Sequence, residues 1–121
     1  MVITVNVINE VMALRDHVKG GALTEVTFFI LLSLYEPRHG YAIMQFIEET
    51  TGGRLALGAG TLYGALTALE EKGWIARLDA GEGRKKRFII TARGQTIAQR
   101  ELARLREMTA AAESIMGGEK T

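Results

Sequence analysis

After an alternating Ile3, Val5 and Val7 that reads like a short strand, the apolar residues of this chain keep mainly a helical spacing from Ile8 to Lys72 and change to alternation directly after Gly73. Upstream, Leu62, Ala65, Leu66 and Leu69 fall on one helical face, and Gly73 is placed to end that helix, since glycine tolerates the left-handed conformation common there. Downstream, in WIARLDA, Trp74, Ala76 and Leu78 alternate with Ile75, Arg77 and Asp79. In KRFIIT, Phe88 and Ile90 alternate with Arg87 and Ile89. Two short alternating runs joined by a glycine-containing loop predict a β-hairpin.

Helical patterns surround that hairpin. In LTEVTFFILLSLYEPRHG, Thr24 can cap, Glu25 sits in the first turn, and VTFFILLSLY is apolar on nearly every side. This helix is expected to lie centrally buried and to be stopped by Pro37. YAIMQFIEETTGG places Ile43, Phe46 and Ile47 on one stripe and ends on the Gly52-Gly53 pair. GAGTLYGALTALEEKGW follows, with Thr61 near its N-terminus. Nearer the start of the chain, Ile8, Val11, Met12, Arg15 and Val18 share a helical face, which predicts a short helix over 8–18 ended by Gly20-Gly21.

After the hairpin, Thr91 is placed to cap a long helix. Its Ala98, Leu102, Leu105, Thr109, Ala112 and Met116 recur in alternating steps of four and three. Such a seam, on a helix with no domain left to cover it, calls for a partner helix, and a homodimer is expected. The expected fold is mainly α with a small β-hairpin. It divides into a tail and short helix over 1–22, a winged helix-turn-helix over 23–91 and a dimerisation helix over 92–121.

Three helices followed by a hairpin is the layout in which the third helix enters the DNA major groove and the hairpin lies along the phosphates. The exposed face at the start of the third helix carries Thr61, Tyr63, Gly64 and Thr67, which can hydrogen-bond or approach closely without bulk. The hairpin loop, GEGRKKR, holds Arg84, Lys85, Lys86 and Arg87 in a row. A charged loop between strands is most often simply solvated; behind three helices, it reads as a wing on a phosphate backbone. The net charge of +1 hides this polarity. Between Gly81 and Arg106 eight cations face two carboxylates, a net of +6, while the other seven cations and twelve carboxylates sum to −5. A polyanion is drawn to one part of such a molecule and repelled by the rest.

Composition sets the remaining bounds. A chain of 121 residues fits one compact domain with a helical appendage and can bury about two-thirds of its unfolded surface. The absence of cysteine excludes a disulfide scaffold and a cysteine-based zinc site. No apolar run approaches the ~20 residues of a membrane span, and MVITVNVINE lacks the basic start of a signal peptide. A cytoplasmic protein without a membrane partner is expected.

The stretches LSLYEPRHGYAIMQFI, GAGTLYGALTALEEKGWI and GRKKRFIITARG, in this order and spacing, resemble the PadR-like transcriptional regulators. The likeness runs from about Leu23 to Gly94, and the single long helix after it is similar to the small members of that family. The resemblance implies a homodimeric repressor whose binding to a pseudo-palindromic operator is weakened by a small ligand. It implies that Tyr63 faces the groove and that Lys85 and Lys86 contact DNA from the wing; His39 and Tyr41 of the HGY motif join the candidate DNA contacts. Two positions depart from the family: Phe88 stands where tyrosine is common, and the last helix carries no aromatic residue.

Enzyme readings find little support, and no catalysis or cofactor is expected. GAGTLYG misses the dinucleotide spacing by one residue, and GEGRKK lacks that of a phosphate-binding loop. His17 and His39 have no metal-ligand partner at helical spacing, so no metal is expected, and His39 reads as a cap or a residue near phosphate. Arg93, Arg100 and Arg104 lie roughly along one face of the last helix, where basic side chains often only solubilise. An apolar or aromatic small-molecule effector is expected in a pocket walled by Phe28, Phe29, Leu105 and Met108. The rival to an operator-binding dimer is a winged-helix module for protein–protein contact; four consecutive cations at the wing favour DNA.

Overall fold

The structure, a computed structural model, describes residues 21–78 and 86–117. The helix expected over 8–18 and the wing residues Arg84 and Lys85 lie outside the described residues. Within them the order is α1 (Glu25–Ser33), β1 (Arg38–His39), α2 (Gly40–Thr50), α3 (Ala59–Lys72), β2 (Ile75–Leu78), β3 (Arg87–Ile90) and α4 (Ala92–Gly117).

Helix α1 begins where the Thr24 hydroxyl accepts the Thr27 N–H at 3.1 Å. Ile30, Leu31 and Leu34 have no exposed surface, whereas Phe28 and Phe29 are only half-buried. The helix ends at Ser33, where the Leu34 and Tyr35 N–H groups turn back to the Leu31 and Leu32 carbonyls. Arg38 donates to the Ser33 carbonyl while its guanidinium lies over the Phe46 ring at 4.6 Å, and Ile90 donates to the Leu34 carbonyl at 2.8 Å. Pro37, which has no N–H, cannot give the Ser33 carbonyl the bond that would continue the helix, in keeping with the expected stop.

His39 caps α2: its Nδ1 accepts the Ala42 N–H at 3.4 Å. Ile43 and Ile47 of the expected stripe are buried while its Phe46 is only half-buried, and the helix closes on Gly52 and Gly53 in the left-handed region. Arg54, in the loop beyond, pairs through both terminal nitrogens with the Glu25 carboxylate at the start of α1. Helix α3 opens from Gly58 without a side-chain cap, so Thr61 lies inside the helix. Gly73 ends it at φ 79°, as the change of period implies.

The sheet has three antiparallel strands in the order β1-β3-β2, one more than the expected hairpin. Ile75 pairs with Ile90 and Arg77 with Phe88, while Arg38 and His39 pair with Phe88 and Arg87 on the other side. The added strand is two residues long and carries no alternation for a sequence to display. Ile75, Phe88 and Ile90 are buried, as are Leu62, Leu66 and Leu69 of α3. Trp74 is half-buried, with the Lys72 ammonium over its ring at 5.2 Å.

Thr91 starts α4 by accepting the Gly94 N–H at 3.0 Å and donating to the Gly73 carbonyl at 2.7 Å. The chain divides into two compact units. One runs over Thr24–Ala98, so the first turns of α4 belong to the winged-helix unit. The other comprises, among the described residues, 21–23 and 99–117. Inside this second unit the Glu101 carboxylate, 4% exposed, accepts from Arg104 Nε at 2.9 Å and from the Leu23 N–H at 3.2 Å. Among the described residues, no helix is long and apolar enough to cross a membrane.

Candidate nucleic-acid interface

Three elements of the winged-helix unit meet around one cleft of about 450 Å³. The start of α2 supplies Gly40 and Tyr41, with the capping residue His39 beside them; α3 supplies Tyr63; the sheet supplies Arg77 and Phe88, with Lys86 immediately before β3. The cleft thus joins His39, Tyr41, Tyr63 and Lys86, four of the residues expected to touch DNA. Tyr41 and Tyr63 keep 57% and 49% of their surface exposed.

Thr61, Gly64 and Thr67 are exposed on α3 but do not line the cleft, and Arg87 is exposed on β3. The Thr67 hydroxyl donates to the Tyr63 carbonyl at 3.0 Å, so it faces outward mainly as an acceptor. Gly64 has nothing within 4 Å of where a β-carbon would stand, which leaves the middle of the helix surface open to close approach.

Arg77 and Gly40 were not legible as site residues. In the sequence Arg77 is one charged position of an alternating strand. In the fold its pairing opposite Phe88 brings it to the cleft, with its guanidinium 5.6 Å from the Phe88 ring centre and 3.0 Å from Glu70 on α3. The pair with Glu70 ties β2 to α3 and orients the cation. Arg38, by contrast, is committed to the Ser33 carbonyl and the Phe46 ring.

The residues expected at a dimer seam divide differently. Ala98 is buried within the single chain, so it is no part of an open seam, a correction to its expected place. It is the last residue of the winged-helix unit, Thr24–Ala98. Leu105 is half-buried, and Leu102, Thr109, Ala112 and Met116 are exposed. Arg104, read as one of a solvated set, is engaged by Glu101 and by the Met108 sulfur at 2.9 Å. Of the residues expected around an effector, Phe28 and Phe29 lie in the winged-helix unit with ring centres 6.3 Å apart, while Leu105 and Met108 lie on the second unit's part of α4.

Two carboxylates are held in their charged form. The hydrogen bond from Arg54 keeps the Glu25 carboxyl below its ordinary value. Arg104 does the same for Glu101, aided by the Leu23 amide and opposed by burial. Both act on the architecture, since neither lines the cleft. Among the described residues, no group of three or more His, Cys, Asp or Glu could hold a metal ion.

Helices α1 to α3 closed by an antiparallel sheet, with cations and tyrosines around one cleft, define a winged helix-turn-helix module. The chain belongs to the PadR-like family of transcriptional regulators, whose family model matches residues 30–100. Its fold is similar to that of a PadR family transcriptional regulator from Eggerthella lenta, at 22% identity and TM-score 0.67, over 93% of this chain and 94% of that one. It is also similar to RosR of H. salinarum, at 26% identity and TM-score 0.58, over 78% of this chain and 96% of that one. An uncharacterized 37.1 kDa protein in transposon TN4556 of Streptomyces fradiae is 45% identical over 65 residues. That match takes in 54% of this chain and spans only 18% of the transposon protein.

Proposed function

We propose that this regulator binds double-stranded operator DNA as a homodimer and represses transcription. The observation that carries the reading is the convergence of Tyr63 on α3, His39 and Tyr41 at the start of α2, and Arg77 and Lys86 beside the wing on one cleft. In this reading α3 lies in the major groove with Thr61, Tyr63, Gly64 and Thr67 towards the bases. Lys86 and Arg87, together with Arg84 and Lys85, neutralise phosphates, which position the protein but carry no sequence information. A single winged helix reads few base pairs, so two are needed, about one DNA turn or 34–36 Å apart. The exposed apolar residues Leu102, Ile115 and Met116 of α4 support a seam that would join the two copies.

Release by a small apolar or aromatic effector belongs to the same reading. Such a ligand acts only by binding better to a dimer whose wings are wrongly spaced for the operator. Selection of duplexes from a random-sequence pool tests the proposal. It predicts enrichment of a motif with two inverted half-sites, one turn apart. A pool that stays random after repeated selection contradicts operator binding and favours a winged helix that contacts protein.

A further inference from the structure

Gly40 opens α2, and its backbone needs no glycine: its φ is not positive, and the position is an ordinary first residue of a helix. What it lacks is room. A β-carbon built there would lie 2.1 Å from the Tyr63 hydroxyl oxygen, 2.7 Å from Cζ and 3.3 Å from Cε2. The three nearest neighbours of that missing carbon thus all belong to one side chain. The Tyr63 ring tip occupies the space that any other residue at position 40 would fill. Residue 40 is buried under it, while half of Tyr63 remains exposed at the cleft.

We infer that Gly40 is a positioning residue for Tyr63: the bare helix start is the seat that fixes the direction of the tyrosine hydroxyl toward DNA. The inference rests on the reading of Tyr63 as a DNA contact. With alanine at position 40, the hydroxyl must retreat by about 1.3 Å merely to reach ordinary van der Waals distance, ~3.4 Å. Such a retreat is easy for the end of a flexible side chain, so the fold survives. A hydrogen bond to a base edge or phosphate does not, because its strength falls steeply over that distance. Gly40→Ala should therefore separate two properties that a merely structural glycine would lose together. Alanine favours a helix over glycine, so stability holds or rises while specific binding falls.

The experiment is a double-variant cycle with two readouts. The first is affinity for a duplex enriched from a random pool by the wild-type protein, measured for wild type, Gly40→Ala, Tyr63→Ala and the combined variant. The second is the ring resonance of Tyr63 in tyrosine-labelled protein without DNA, assigned through Tyr63→Phe. The expected result is a loss on the order of tenfold for Gly40→Ala, no further loss when Tyr63 is already alanine, an unchanged or raised thermal midpoint, and a shifted Tyr63 resonance. Additive losses in the combined variant, or a Tyr63 resonance unmoved by Gly40→Ala, overturn the inference. Equal binding by wild type and Tyr63→Ala overturns the DNA contact, and the shifted resonance then shows that the seat exists without that use.

Discussion

Gly94, in the first turn of α4, lies so close to Trp74 that a β-carbon would stand 2.1 Å from its carbonyl oxygen and 3.0 Å from its carbonyl carbon. The same oxygen accepts the Thr91 N–H at 3.0 Å, so the long helix starts pressed onto the end of α3 and the sheet. Here the obstacle is backbone, where at Gly40 it is the tip of a side chain. Backbone cannot swing aside, and Gly94→Ala should cost about 1–3 kcal/mol, the usual penalty of overpacking. Urea unfolding should show a lowered midpoint. A midpoint equal to wild type would mean that α4 is not seated on Trp74.

Much of this architecture was legible in the sequence because it rests on local pattern. The change of period at Gly73 marks the end of α3, Thr24 and Thr91 cap where expected, and Ile43 and Ile47, two of the three stripe residues, are buried. What stayed hidden depends on partners distant along the chain. Strand β1 exists only because Arg38 and His39 find β3, and Arg77 joins the cleft only through its register with Phe88. The close approaches at Gly40 and Gly94 involve residues on other elements, which no spacing rule reports. In the sequence Glu101 is one of two carboxylates in a basic segment, and only the fold sets it against Arg104 and Leu23.

Glu101 gives a pH dependence. Its folded-state carboxyl is lowered chiefly by the hydrogen bond from Arg104, relative to an ordinary value of 4.5. A depressed carboxylate contributes stability that is fully present above its unfolded value and is lost as pH falls through the folded one. Stability followed by urea unfolding should therefore hold above pH 4.5 and decline below it. Glu101→Gln should be less stable at neutral pH and show a shallower decline in acid. An identical acid profile in the two proteins would remove Glu101 from the account.

The seam on α4 is tested by charge. Leu102 and Met116 keep 42% and 83% of their surface exposed, so glutamate at both positions leaves the single chain intact. Buried between two copies, the same carboxylates would be unpaired and would cost about 3–5 kcal/mol each. Sedimentation at micromolar concentration should show a dimer for the wild type and a monomer for Leu102→Glu/Met116→Glu, with an unchanged circular dichroism spectrum. A variant that remains a dimer places the interface elsewhere.

The wing predicts a change in salt dependence. Lys85→Ala/Lys86→Ala should weaken binding to selected and random duplexes alike, since both offer the same phosphates. Each lost phosphate contact should lower the slope of log K against log salt by about 0.9. An unaltered slope would mean that the wing lysines do not meet DNA.

Sequence-specific recognition through α3 is tested most directly by one ratio: the affinity for a duplex enriched by the protein from a random pool over that for the same duplex scrambled, at one salt concentration. The wild type should prefer the enriched duplex by orders of magnitude, and Tyr63→Ala should lose about 1–3 kcal/mol on it and little on the scrambled one. Equal affinity of the wild type for both duplexes would contradict recognition through α3 altogether.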